Sequence, residues 1–329
     1  SFKIDFGGNI SSRPISNVFL GVQYSYLNTN AYTFGVDFYS GRFYESIQIG
    51  SRVDFPSRLP IFLAAELTYN HFNYYSTSAI YLENLNPTYI EQVDRKIDLR
   101  AGIPLGRGTK ITLGGAFINN TDDYSPTKTF LAGDVLDKTT FHGLRLKLAL
   151  EKNTFNHKQY ANRGRSFQLS LNYFTGRENY DPGNISRNLD VNAVDIGIQR
   201  KDRIWLNAKI SDENYFFHKG RYTLGYLAEA VVSNLPNFSN YYSTLLVAPA
   251  FYPLQDSRSL FLEKFRSASY FAAGVKNVYA LKRHLDFRVE AYAFLPYKEL
   301  QQQGFQQVVE RKAFQRWHYA GTAGLVYHT

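Results

Sequence analysis

Leu144-Arg145-Leu146-Lys147-Leu148-Ala149-Leu150-Glu151 has two faces that only an extended chain can separate. Four leucines fall on one side and Arg, Lys, Ala and Glu on the other, because successive side chains of a strand point in opposite directions. A helix would scatter both sets around its circumference. Working outward, the same period of two returns along the chain. Ile97, Leu99, Ala101 and Ile103 oppose Lys96, Asp98, Arg100 and Gly102, while Phe167, Leu169, Leu171 and Tyr173 oppose Ser166, Gln168, Ser170 and Asn172. Ile61, Leu63, Ala65, Leu67 and Tyr69 face away from Phe62, Ala64, Glu66 and Thr68. Val18–Leu27 and Tyr32–Phe38 alternate in the same way. Downstream, Tyr270–Leu281 and Leu285–Leu295 are two further strands, the second with Asp286, Arg288 and Glu290 on its polar side.

The polar face and the strand length separate two kinds of all-β protein. Strands of a soluble sandwich commonly run about 5–6 residues. The alternating runs here extend to about 9–11, the length that a tilted strand needs to cross a bilayer. One face is aliphatic and aromatic, and the other mixes charge, Gly and Ser as the interior of a spanning barrel does. The 26 Tyr and 26 Phe against two Trp fit this reading, since aromatic girdles mark the water–lipid boundaries of such barrels. A mean hydropathy of -0.34 is no objection, because only every second residue faces lipid. No apolar run reaches the roughly 20 residues of a spanning helix. The sequence therefore predicts an all-β fold: one transmembrane antiparallel β-barrel of the outer-membrane type over residues 1–329, integral to a bacterial outer membrane, with membrane lipid as its first partner.

Counting alternating runs from Phe2 to Tyr327 gives about 14 strands, least securely through residues 182–220. Short turns such as Asn28–Asn30 and Gly106-Arg107-Gly108 alternate with longer polar stretches, Tyr75–Gln92 and Asn119–Lys138. That asymmetry matches short periplasmic turns and long external loops. The chain opens on Ser1-Phe2-Lys3-Ile4, already strand-like, and stops at Tyr327-His328-Thr329 directly after a strand. These ends lead us to expect a processed or excised piece, with closing C-terminal strand or strands and any N-terminal domain absent.

Other function classes find little support. Cysteine is absent, which removes disulfides, thiolate metal sites and thiol nucleophiles. The net charge of +9 is spread without a basic run, so a nucleic-acid partner is not expected. No Gly-x-Ser-x-Gly elbow occurs. The seven histidines are scattered with no His-x-x-x-His pair, and although His142 or His318 could sit at a barrel rim, neither has an identifiable partner. Gly106-Arg107-Gly108-Thr109-Lys110 lacks Walker spacing and leads into a strand. Asn119, Thr121, Asp122, Asp123 and Asp181 offer clustered oxygens for Ca²⁺, but the plainer reading is a solvated external loop. No catalytic residue, metal or cofactor is expected in this chain.

Three stretches resemble one family. Tyr160-Ala161-Asn162-Arg163-Gly164, within Asn153–Leu171, is similar to the surface-antigen turn of the barrel-assembly and two-partner-secretion superfamily. The usual Pro-Thr pair is replaced, while Tyr160, Arg163 and Gly164 stay in register. Phe261–Ser267 followed by Tyr270–Gly274 resembles the superfamily's inward-folded loop, whose tip reads Val-Arg-Gly, with Phe265-Arg266-Ser267 in its place. The third is the opening, Phe6–Pro14. Together they look most like the barrel that follows the hydrolase domain in fused patatin-like phospholipases. The resemblance implies 16 strands, of which about 14 are represented here. It also implies an anchoring or translocating role for a covalently linked N-terminal passenger domain, whose lipid hydrolase would lie outside this chain. A transporter or assembly factor of the same superfamily is the first alternative. A diffusion channel, its lumen lined by Lys96, Arg100, Arg145 and Lys147, is the second. The resemblance further implies that Arg266 enters the lumen beside Phe265 and meets an inward carboxylate. Glu290, on the polar side of Leu285–Leu295, is the best candidate for that partner.

Overall fold

A computed structural model describes residues 1–9, 17–58, 60–73, 89–127, 133–157, 160–189, 197–253, 261–304 and 306–328. The first five strands are β1 (Phe2–Asn9), β2 (Asn17–Leu27), β3 (Ala31–Gly41), β4 (Tyr44–Phe55) and β5 (Ile61–Asn73). They continue into β6 (Ile90–Gly106), β7 (Thr109–Tyr124), β8 (Asp137–Asn153), β9 (Gly164–Asp181) and β10 (Gln199–Lys219). Next come β11 (Tyr222–Ser233), β12 (Tyr270–Lys282) and β13 (Leu285–Pro296). A small hairpin of β14 (Leu300–Gln303) and β15 (Gln307–Glu310) precedes β16 (His318–Tyr327). Two short helices, α1 (Asn184–Leu189) and α2 (Tyr241–Val247), lie in connections. Among the described residues no helix is long and apolar enough to cross a membrane.

Among the described residues fourteen strands form one antiparallel sheet in the order β1 to β13, then β16, and every neighbour in the sheet is a neighbour in the chain among the first thirteen. This is the expected strand number. The sheet is an up-and-down meander that curls upon itself, so that connections from one part of the wall touch strands far along it. β1 and β16 are the two ends of the strand order and share no ladder among the described residues.

The faces separate as the period of two requires. Leu146, Leu99 and Phe117 are 56%, 60% and 65% exposed, whereas Ala149 and Asp98 on the other face are 2% and 3% exposed. An apolar outer surface around a polar and aromatic interior is a soluble protein inside out, and it is the arrangement that lipid demands.

Several strands outrun the expected length. β10 has 21 residues and β9 has 18, paired from Gln199↔Tyr180 to Tyr215↔Gly164. Their ladders continue past the apolar belt because antiparallel pairing satisfies backbone groups equally well in water. The expected loops shrink accordingly. Ile90–Gln92 belong to β6, Asn119–Tyr124 to β7 and Asp137-Lys138 to β8. The opening resemblance from Ile10 to Pro14 and the stretch from Tyr75 to Thr88 lie outside the described residues, as do Leu254–Leu260.

Connections differ between the two ends. Asn28–Asn30, Arg107-Gly108, Gly220-Arg221 and Arg283-His284 make tight turns at one end. Residues 182–198, 234–269 and 297–317 belong to the other. We refer to these as the turn end and the loop end. The turn end has one long connection, residues 154–163.

Candidate functional site

The connection from β11 to β12 leaves at the loop end, and its described parts, residues 234–253 and 261–269, pack against the inner wall of that half of the barrel. Its first anchor is Phe238, buried against Phe141 of β8 and Trp205 of β10. Beside it the N–H of Ser239 donates to Glu178 Oε1 at 2.7 Å. Glu178, fully buried on β9, also receives Arg203 of β10 at 2.7 Å. One carboxylate thus binds a neighbouring strand and the inserted segment together.

α2 follows. Seven residues are too few to hold a helix in isolation. Here Asn240 caps it, its Oδ1 accepting from Ser243 N at 2.8 Å while Ser243 Oγ accepts from Asn240 N at 3.0 Å. That reciprocal box satisfies two free donors of the first turn. Tyr241, Tyr242, Leu245 and Leu246 then bury against Ile90 of β6, Tyr124 of β7 and Leu300 of β14.

The C-terminal end of α2 leaves carbonyl oxygens without intrahelical donors. Arg266 supplies the donor. Its Nη1 donates to Leu246 O at 3.1 Å and to Leu245 O at 3.4 Å, and its guanidinium lies 4.8 Å from the centroid of Phe261. The side chain is 6% exposed. The cation also complements the negative end of the helix dipole. Asp94 of β6 and Asp122 of β7, on the facing inner wall, lie within electrostatic reach of it. Asp122 in turn accepts from Gln92 at 2.9 Å.

Phe265 and Phe251 close the segment. They pack with Val231 of β11, Tyr270 of β12 and Tyr292 and Phe294 of β13. Tyr270 donates to Glu229 at 2.6 Å, and Ala250 and Arg266 pair as an isolated antiparallel bridge. Phe265 and Arg266 are therefore both buried, the first against inner-wall aromatics and the second against the end of α2.

The Arg266 partner departs from expectation. Glu290 receives Arg288 of its own strand at 2.9 Å and Tyr292 OH, and no contact between Arg266 and Glu290 is among those described. The register explains the separation. Tyr270, where the inserted segment rejoins the wall, pairs with Pro296, while Glu290 pairs with Lys276, six residues further toward the turn end. Six strand residues span about 20 Å. β13 is divided along its inner face: Tyr292 and Phe294 meet the inserted segment, and Asp286, Arg288 and Glu290 serve the opposite mouth.

The motif residues gather at that mouth. Residues 154–157 and 160–163 fold back under the barrel, braced by Asn156 and Asn162, whose side chains share a hydrogen bond of 2.8 Å. Tyr160 takes a positive φ of 50°. Gly164, at φ 96°, begins β9, and a Cβ there would collide with the carbonyl oxygen of Thr154. Glycine is required at this turn. Arg163 is exposed. Ala161 is buried with Phe155 against Tyr215 of β10 and Val278 of β12.

The basic side chains assigned to an open lumen are paired. Arg100 bonds Glu66, Arg145 bonds Asp98, Lys96 lies 3.6 Å from Glu66 and Lys147 lies 3.6 Å from Glu151. The acidic stretch read as a solvated loop is also different: Asp122 is 2% exposed inside the barrel, while Asp123 faces Lys138 at 3.5 Å. Among the described residues no group of three or more His, Cys, Asp or Glu could hold a metal.

Sequence reading passed over Glu178 and Asp137. Both continue the inward register of strands whose central residues were recognised, so extending the alternation past the apolar belt would have found them. Asp137, fully buried, accepts from Tyr180 OH, Gly183 N, Ser186 Oγ and Gln306 Nε2 at 2.7–2.9 Å. It ties α1 and the β14–β15 hairpin to the wall at the loop end.

No protein-family model matches the chain, and no curated protein matches it in sequence. Solved structures do resemble it. The crystal structure of BamA from Haemophilus ducreyi lacking POTRA domains 1–3 superposes with a TM-score of 0.54 at 9% identity, covering 98% of this chain and 70% of that one. CdiB from Acinetobacter baumannii gives a TM-score of 0.45 at 10% identity, covering 99% of this chain and 53% of that one. The first likeness places the fold among outer-membrane β-barrels.

Proposed function

We propose that this chain is the barrel of an outer-membrane protein transporter of the barrel-assembly and two-partner-secretion type, resident in a bacterial outer membrane. The observation that carries the reading is the inserted segment, described over residues 234–253 and 261–269 and held against the inner wall by Glu178, by Arg266 and by the Phe251–Phe265 cluster. A solute channel works through a standing aqueous path. A barrel whose lumen holds a stapled segment is suited to intermittent passage, and the likeness of fold to BamA supports the same reading. Planar-bilayer conductance tests it. Low conductance in the full chain, rising when residues 236–266 are replaced by a short Gly-Ser linker and residues 154–163 by a tight turn, is the expected result. High conductance in the unaltered chain would favour the diffusion channel instead.

The finer reading is that the barrel anchors or translocates an N-terminal patatin-like lipid hydrolase as a covalently linked passenger, with two closing strands completing 16. Its support is the resemblance carried by Tyr160–Gly164 and Phe261–Gly274. Intact-mass measurement of the native gene product decides it. A mass well above 37.8 kDa, with upstream peptides that include Gly-x-Ser-x-Gly, is expected. A mass only slightly larger would leave a stand-alone transporter.

A further inference from the structure

We infer that the described residues of the connection between β8 and β9, 154–157 and 160–163, form a second closure at the turn end, latched by Arg288 through Tyr160 and Ala161 and separate from the loop-end segment. A turn between neighbouring strands needs two or three residues, and the other turn-end connections are short. This one is long and is folded inward over the mouth.

Arg288 is 4% exposed and uses its whole guanidinium. Nη1 donates to the carbonyl oxygens of Tyr160 at 3.0 Å and Ala161 at 2.9 Å. Nη2 donates to Tyr215 OH at 2.8 Å and Glu290 Oε1 at 2.9 Å, and Nε donates to the same Glu290 oxygen at 3.0 Å. Two of these contacts reach the loop backbone and the others reach β10 and β13. A planar fork of five donors is suited to this, and an ammonium is not. Asp286, one inward position nearer the mouth, accepts from Asn162 Nδ2 at 2.8 Å and lies 3.0 Å from His328 Nε2. His157 stacks on His328 with ring centroids 4.2 Å apart.

The contacts to Tyr160 and Ala161 are to main-chain oxygens, so they read the path of the loop and not its side chains. The positive φ at Tyr160 and Gly164 sets that path. The lumen is thus closed by two devices that meet opposite halves of the β13 inner face. Clearing one leaves the other in place.

The absence of cysteine makes the loop directly accessible to test. Ala161→Cys, in the full chain in proteoliposomes, places one thiol under the latch, where a membrane-impermeant maleimide reports opening. Slow labelling is expected. In Ala161→Cys/Arg288→Ala, labelling should be faster on the order of a hundredfold, since removing one partner of a buried pair shifts a local opening equilibrium by decades. Arg288→Lys should fall between the two. Heat-modifiable gel mobility confirms that each variant is folded. A second readout uses conductance: with residues 236–266 replaced by a linker, the barrel should stay poorly conducting until Arg288→Ala or a tight turn in place of residues 155–163 is added. Equal labelling with and without Arg288, or full conductance on removing the loop-end segment alone, would overturn the latch. Thiol labelling reads only the position of the loop, so it can fail while the transporter reading stands.

Discussion

Glu178 Oε1 accepts a 2.7 Å hydrogen bond from the main-chain N–H of Ser239, joining the barrel wall to the segment inside it. The same carboxylate neutralises Arg203. Glu178→Ala removes both contacts and leaves Arg203 buried without its charge partner. A cost of about 3–5 kcal/mol is expected, as for other broken buried pairs. Glu178→Gln should cost less, since an amide oxygen still accepts from Ser239. Urea titration of the heat-modifiable form ranks the two; equal midpoints would contradict the assignment.

Arg266→Ala uncaps α2 and exposes Asp94 and Asp122 to one another without a cation. Arg266→Lys restores charge but cannot serve two carbonyls with the same geometry. Protease sensitivity of residues 234–269 should rise in the order wild type, Lys, Ala. Glu290→Gln should leave that sensitivity unchanged, since Glu290 serves the other mouth.

Gly164→Ala forces a residue with Cβ into φ 96° against the Thr154 carbonyl. A penalty of about 1–3 kcal/mol, visible as a lower urea midpoint, follows from the backbone alone. Arg163→Ala, on an exposed side chain of the same turn, should leave the midpoint unmoved.

The outer and inner faces of β8 can be told apart by one residue. Leu146→Arg places a cation against lipid and should destabilise the barrel by about 2–4 kcal/mol near the midplane. Lys147→Ala loses only the partly exposed pair with Glu151 and should cost about 0–1 kcal/mol. Folding yields into vesicles compare the two directly.

His157 gives the latch a pH dependence. Burial, then the neighbouring His328, hold its proton affinity below the ordinary value of 6.5, with Asp286 opposing. The folded loop therefore binds fewer protons than the released loop, so its stability rises with pH. The contribution of neutral His157 is complete above the ordinary value and is lost as the pH falls below it. Measured relative to a fully exposed control thiol, whose own rate falls with its thiolate fraction, labelling of Ala161→Cys should be faster at pH 5 than at pH 7.5, and His157→Gln should flatten that difference.

Much of this architecture is legible in the chain because lipid outside and polar groups inside enforce a strict alternation. Leu144–Glu151 alone specifies strand and faces, and the ends of β12 and β13 fall within one residue of their expected positions. Arg266 is singled out in the sequence by resemblance to a loop motif. Its acceptors are not. Alternation assigns a face, but which inner-wall residues oppose a returning loop depends on how far the sheet curls, and that is set by every ladder together. Glu290 satisfies the face rule and lies in the wrong half of the barrel. Asp94 and Asp122 satisfy it on strands far from β12 in the chain.

The segment that fills the loop end touches β7 through Tyr124, β9 through Glu178, β11 through Val231 and β13 through Phe294. A sheet that contacts only its neighbours is a hoop, free to flatten or round with little change in hydrogen bonding. These attachments turn the hoop into a wheel with spokes, and α2 is its hub. The cross-section of the barrel and the occupancy of its centre then become one mechanical variable: drawing out the hub slackens the rim.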